Sequence, residues 1–347
     1  MNRRNFLTTG AASAAGLTFF PGDLFSKEAK MANLQNFPNR LPYKMDGDWK
    51  EFEIYVDISI HEPAPGMQYH TLAFNDMIPG PEIRVQAGDK VRVKFKNKTE
   101  LNHTIHWHGI YVPWRMDGVP MVTQLPVMPE NEFIYEFVAE PQGTHFYHCH
   151  WGTLLHMQAG MYGTVIIENP DDPIKKQFPY EREYTLVYSA HDVNFVRSEM
   201  NGMLGRMKER RYLMKNGRFD HKRWNVFDSK EQLEQAMSEG YLPPYLTNRR
   251  APNQLPQPQW FTVNGKSYPS TPYLFIKEGE NIRVRLINAG TENHHLHLHG
   301  HDFWMVADDG VPIANPWQRN TVPLSPGKTV DIIIEGKNRG IWTFHDH

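Results

Sequence analysis

Imidazoles crowd four short segments of this 347-residue chain. His103, His106 and His108 form one group, and His145, His148, His150 and His156 a second. His294, His295, His297, His299 and His301 form a third, and His345 and His347 a fourth, so fourteen of the 18 histidines lie in these segments. Core packing does not concentrate imidazoles in this way. Metal binding does, because neutral imidazole is the commonest side-chain metal ligand. Within the groups stand four His-x-His pairs: His106-Trp-His108, His148-Cys-His150, His297-Leu-His299 and His345-Asp-His347. Alternate side chains of a strand share a face, so each pair aims two imidazoles the same way. The residue between them points to the opposite face. Cys149 is therefore back to back with an imidazole cluster, and His103, three residues before His106, turns to the cysteine's side.

Cys149 is the chain's single cysteine, which rules out an intrachain disulfide. Downstream of it come His156 and Met161. One thiolate, two imidazoles (His103 and His156) and a weak thioether form the ligand set of a blue-copper electron-transfer site. A structural zinc site usually takes more thiolates.

The elements that position these groups occur twice. Val85-Gln-Ala-Gly-Asp-Lys-Val-Arg-Val-Lys-Phe95 resembles Ile276-Lys-Glu-Gly-Glu-Asn-Ile-Arg-Val-Arg-Leu286, and both alternate apolar and charged residues as half-buried strands do. At the same offset His103, His106, His108 and Gly109 fall on His294, His297, His299 and Gly300. Asp117-Gly-Val-Pro120 matches Asp309-Gly-Val-Pro312. Farther on, Pro129, Gly143, His148 and His150 match Pro326, Gly340, His345 and His347. Short strands separated by Gly, Pro, Asn and Asp turns predict an all-β chain of two antiparallel sandwiches or barrels. Glu53–Ser59 resembles Glu183–Ser189, and Phe74-Asn75 resembles Val263-Asn264, which leaves an insertion at 197–255 in the second copy. Ser229-Lys-Glu-Gln232 reads there as a capping box opening a helix that stops near Gly240. Met200, Met203, Met207 and Met214 in the insertion could offer thioethers to a cuprous ion, but their spacing favours a packed helix face. A closing strand, Gly163-Thr-Val-Ile-Ile-Glu168, follows His150, whereas no counterpart follows His347, so the second copy reads as truncated.

Apolar residues make up 40% of the chain and charged residues 22%, ordinary values for a globular protein of about two domains. A net charge of −2 gives no basic footprint for nucleic acid. Arg3-Arg4-Asn-Phe-Leu7, followed by small, mostly uncharged residues as far as Phe20, looks like a twin-arginine signal and predicts a periplasmic or extracellular location. That stretch is shorter than the ~20 residues of a transmembrane helix, and no other run is long enough for a membrane span. Residues 1–35 are read as signal and linker.

His103-Thr-Ile-His-Trp-His-Gly109, Met116-Asp-Gly-Val-Pro-Met-Val-Thr-Gln124, Gly143-Thr-His-Phe-Tyr-His-Cys-His150, His294-His-Leu-His-Leu-His-Gly300 and Trp342-Thr-Phe-His-Asp-His347 resemble the copper motifs of multicopper oxidases. The resemblance covers most of 50–195 and 258–347 and leaves out the insertion. It implies two tandem cupredoxin-like Greek-key domains, 48–172 and 180–347, with a partly helical insertion in the second. It implies four coppers per chain: a type 1 copper on His103, Cys149, His156 and Met161, and a trinuclear cluster on His106, His108, His148, His150, His297, His299, His345 and His347. The partners implied are dioxygen and a phenolic or metal-ion electron donor.

The second copy departs from the pattern. Asp346 stands where the first has Cys149, so no second type 1 site forms despite His294. That arrangement is similar to the two-domain group of the family with its blue site in the first domain. In that group the cluster lies between the first domain of one subunit and the second domain of the next, in a homotrimer. Asp117 matches an acid that assists proton delivery to oxygen, although Asp-Gly is also a turn signal. Asp309 aligns with it in the second copy. His145, His295 and His301 read as neighbours of the ligands or solvent-edge residues. His61, His70, His191 and His221 carry no pattern and read as surface residues. Two other readings compete: a copper nitrite reductase, which needs only a three-histidine mononuclear site, and a non-catalytic periplasmic copper binder or electron carrier.

Overall fold

The computed structural model describes residues 37–99, 101–196 and 256–347. The export segment, the 197–255 insertion with its capping box and methionines, and His221 lie outside the described residues. No helix among the described residues is long and apolar enough to cross a membrane.

Among the described residues eighteen strands build two β-sandwiches. In the first, β1 (Lys44–Asp46), β2 (Trp49–His61), β5 (Lys90–Asn97) and β7 (Glu132–Val138) follow one another across a sheet, with β3 (Tyr69–Phe74) attached to β2. The facing sheet runs β4 (Gly80–Gln86), β9 (Tyr162–Glu168), β8 (Gly143–His148) and β6 (His106–His108). Phe52, Ile54, Val93, Phe95 and Tyr135 of one sheet pack on Trp107, Tyr147, Val165 and Ile167 of the other. β5 alternates buried and open positions as its sequence predicts.

In the second sandwich one sheet runs β11 (Trp260–Val263), β10 (Arg182–His191), β12 (Asn281–Asn288), β17 (Thr329–Glu335), β14 (Phe303–Asp308) and β15 (Val311–Arg319). The other runs β16 (Thr321–Leu324), β13 (His294–Leu298) and β18 (Phe344–Asp346). Helix α1 (Thr153–Ala159) lies between β8 and β9, and helix α2 (Pro173–Gln177) opens on Asp172, whose side chain caps the Ile174 amide.

The repeat reaches single hydrogen bonds. Asn75 and Asn264 both have a φ of 52°. Each side chain accepts from a strand amide, Tyr55 N–H at 3.1 Å in the first copy and Val187 N–H at 2.8 Å in the second. Asparagine tolerates this left-handed backbone because its short amide bonds locally.

Two features depart from the sequence reading. The sheets are mixed, not purely antiparallel: β2–β5, β4–β9 and β10–β12 run parallel. Between β2 and β5 the chain crosses to the facing sheet and back, and a parallel neighbour requires such a crossover. Also, β12 is buried on both faces, although its sequence alternates like β5. Its charged face, Arg283 and Arg285, is turned into the junction between the sandwiches. Arg285 donates to Thr144 of β8 at 2.7 Å and to Glu183 at 2.9 Å. Arg283 reaches Asp172 at 2.6 Å and Asp331 at 3.0 Å.

Candidate metal centre

The first group of ligating atoms forms around Cys149. β8 ends at His148, and the Cys149 amide donates to the Met161 carbonyl at 3.1 Å, which closes the loop carrying α1. Helix α1 starts after Gly152 and stops at Gly160, both in left-handed conformations, and so brings His156 back over the cysteine. Cys149 Sγ lies 3.1 Å from His156 Nδ1 and 3.6 Å from His103 Nδ1. His103 is held by a bridge to Val127 just before the start of β6. Cys149, His103, His156 and Met161 are all buried.

Burial sets the chemistry of this pocket. It pushes the Cys149 thiol up to about 12 and His156 down to about 3. It also drives His103 well below its ordinary value, helped by the neighbouring His156. The pocket thus rejects charge on its own groups and presents two neutral imidazoles to one sulfur. A bound cation supplies the charge that deprotonates such a thiol. The donor set fits a soft transition metal.

On the other side of the same strand ends lies a quartet of imidazoles. β6 pairs with β8 so that His106 faces His148. Ligating nitrogens of His106, His108 and His148 lie within 4.8 Å of one another. His150 joins them, its ring 5.4 Å from that of His106. Burial lowers His148 to about 3; burial, with His106 beside it, lowers His108 to about 4. The second sandwich carries a matching quartet. His297 faces His345 across β13 and β18, the ring of His347 stands 5.9 Å from His297, and His299 Nε2 is 3.0 Å from His345 Nε2. This quartet is more open: His299 and His347 are exposed. Among the described residues no ring contact joins the two quartets.

Backbone carbonyls fix which nitrogen each ring offers. His106 Nδ1 donates to the Asp117 carbonyl at 2.7 Å and His148 Nδ1 to the Cys149 carbonyl at 3.1 Å. His297 Nδ1 donates to the Asn320 carbonyl at 2.9 Å, and His345 Nδ1 to the Asp346 carbonyl at 2.9 Å. These four rings therefore carry their lone pair on Nε2, and that of His345 faces His299 Nε2 at 3.0 Å. The thiol pocket does the reverse: His103 and His156 turn Nδ1 to the sulfur. Imidazole lone pairs gathered in this way fit metal ions in both places.

The structure places the remaining candidates as follows. The Asp117 carboxylate lies 3.3 Å from His106 Nδ1, so the backbone carbonyl is its nearer hold on that ring. His145 is buried, not at a solvent edge: its Nε2 bonds the Pro141 carbonyl at 3.0 Å and its ring packs on Gly109 and Gly310. His295 is exposed, and His301 accepts from the Asn338 amide at 3.2 Å. His61 and His191 correct the surface reading. Both are buried, their rings 5.9 Å apart, with His191 held by the Gln158 carbonyl at 2.9 Å and the Ser189 hydroxyl at 2.9 Å. Sequence reasoning missed Thr99 and Asn97, which stand behind His103. Aligning the two copies around Asn97 and Asn288 gives the signal that finds them.

Multicopper oxidase family models match residues 56–172 and 241–347. The blue copper oxidase of Nitrosomonas europaea is similar in structure, with a TM-score of 0.69 and 31% identity over 86% of this chain and 79% of that one. The chain belongs to the multicopper oxidase family. The multicopper oxidase mgLAC is similar too, at a TM-score of 0.68 and 30% identity, covering 86% of this chain and 80% of that one. Copper resistance protein A of Escherichia coli is 27% identical over 83% of this chain. The chain spans 47% of that relative's length. Membership makes copper the metal that the two kinds of donor set are suited to hold.

Proposed function

We propose that the chain is an oxygen-reducing copper oxidase that oxidises a phenolic or metal-ion donor one electron at a time. His103, Cys149, His156 and Met161 would hold a type 1 copper. His106, His108, His148, His150, His297, His299, His345 and His347 would hold a trinuclear cluster. When bound, copper supplies the redox chemistry, four electrons and four protons converting one dioxygen into two waters. One observation carries this reading: Cys149 is joined by peptide bonds to His148 and His150, so the thiol pocket and the quartet meet through the backbone. The buried pocket keeps water from the sulfur, and the carbonyl-anchored imidazoles keep their lone pairs aligned. Asp117, partly open to solvent beside His106, is placed to pass protons inward.

The resemblance to the two-domain group, together with the lack of any ring contact between the quartets among the described residues, favours a cluster closed between two copies. The arrangement proposed is a homotrimer in which domain 48–172 of one copy meets domain 180–347 of the next. Exposed Tyr111, Trp114 and Val122 follow the first quartet's strand in sequence, and exposed Ile341 and Trp342 precede the second's. Apolar patches of this kind are what a second copy covers. Residues 1–35 would direct export to the periplasm by the twin-arginine route.

Copper per chain, with the visible spectrum of the loaded protein, tests the proposal. Four coppers and an intense blue band are expected. One or two coppers with that band would sink the oxygen-reducing reading and leave an electron carrier or a reductase on the same fold.

A further inference from the structure

The two copies of the repeat hold the same histidine in different settings. His103 Nδ1 faces Cys149 Sγ at 3.6 Å, and its Nε2 lies 2.8 Å from Thr99 Oγ1. In the second copy His294 Nδ1 lies 2.7 Å from Asp346 Oδ2, and its buried Nε2 has no hydrogen-bond partner. The repeat places Gly290 where Thr99 stands. The shelf beneath is kept in both copies: Asn97 Nδ2 donates to the Val127 carbonyl at 2.9 Å and Asn288 Nδ2 to the Leu324 carbonyl at 2.8 Å. The asparagine thus belongs to the fold, whereas the threonine hydroxyl occurs only in the copy that carries the thiol.

The protons can be placed. Asn97 Oδ1 is an acceptor, and it takes the Thr99 hydroxyl proton at 2.9 Å; the other acceptor, the Leu101 carbonyl, is farther at 3.4 Å. With its own proton committed, Thr99 Oγ1 accepts from His103 Nε2–H. His103 Nδ1 then carries a lone pair directed at the sulfur.

We propose that Thr99 is the positioning residue of the thiol site: it fixes the His103 tautomer and sets the reduction potential of the metal held there. The inference rests on the type 1 reading above. A hydrogen bond accepted from the far ring nitrogen raises the basicity of the ligating one. That favours the oxidised, more highly charged metal. Removing the acceptor raises the potential.

The test uses the full-length, copper-loaded protein and reads the midpoint potential of the blue band by redox titration. Thr99→Val is expected to weaken the hold on Cu(II) relative to Cu(I) by about tenfold, a rise of about 59 mV for one electron. Thr99→Ser, which keeps the hydroxyl, is expected to titrate as the wild type does. An unchanged potential in Thr99→Val overturns the inference. If that variant has no blue band, Thr99→Ser decides: a wild-type band and potential support the inference, and a colourless serine variant overturns it. A wild-type protein without the band would sink the type 1 reading itself, a separate outcome.

Discussion

Thr144 of the first sandwich donates its hydroxyl to Asp331 of the second at 2.7 Å, and both residues are buried. Asp331 is the hub of the junction, because Arg283 and Arg285 also donate to it. Their guanidiniums outweigh the effect of burial and hold its carboxyl below the ordinary range. Removing one partner of a buried ion pair strands the other charges and costs about 3–5 kcal/mol. Asp331→Ala is therefore expected to lower the unfolding free energy by about that amount, measured by denaturant titration. A loss under about 1 kcal/mol would mean that water reaches the two arginines.

Acid is expected to loosen the same junction through Glu183. Burial raises its carboxyl, but Arg285 and Arg84 outweigh that and hold it down to about 2, against an ordinary 4.5. A depressed carboxyl gives stability that is complete above the ordinary value and is lost as pH falls toward the folded one. This single group accounts for at most roughly 3 kcal/mol between pH 5 and pH 2. Glu183→Gln is expected to start less stable at neutral pH and to lose less on acidification. Stability-against-pH curves of equal slope for the two proteins would refute the assignment.

Gly118 controls one quartet without contributing a ligand. Its φ is +76°, and a Cβ there would collide with the Ile105 carbonyl. Ile105 precedes His106, and Gly118 follows the Asp117 carbonyl that orients the His106 ring. Gly118→Ala must displace one of these. The expected result is loss of cluster copper with the blue band kept, and metal affinity about 10–100-fold weaker. Copper analysis beside the visible spectrum separates the two sites.

Much of this centre was legible in the chain because a strand's period of two needs no tertiary knowledge. His106 and His108 share a face, Cys149 turns from His148 and His150, and β5 alternates as written. What stayed hidden depends on what the other face meets. The charged side of β12 reads as solvated, yet it is buried against Thr144 and Glu183. His191 reads as a stray surface residue, yet β10 carries it between the two sandwiches. The parallel β2–β5 ladder joins strands that periodicity treats as independent. Tautomers were hidden for the same reason: the Asp117 carbonyl that selects the His106 nitrogen lies across a turn.

Asp117 offers His106 two different groups, and substitution can tell them apart. The carbonyl at 2.7 Å survives any side-chain change, while the carboxylate at 3.3 Å does not. Asp117→Ala is therefore expected to keep its copper and its blue band. Oxygen uptake with a reducing donor is expected to fall by about 10²-fold or more if the carboxylate delivers protons. A variant with normal uptake would leave Asp117 as a turn residue only.

Complementation tests the shared cluster. His148→Ala damages the first quartet and His345→Ala the second, and each alone is expected to abolish oxygen uptake. In a mixed trimer the intact first domain of a His345→Ala copy can meet the intact second domain of a His148→Ala copy. Co-expression of the two is therefore expected to restore part of the uptake and of the cluster copper. A cluster built within one chain predicts no recovery at any mixing ratio, since every copy then carries a broken site. Each quartet lies on a separate sandwich, with no ring contact between them among the described residues, and this favours recovery.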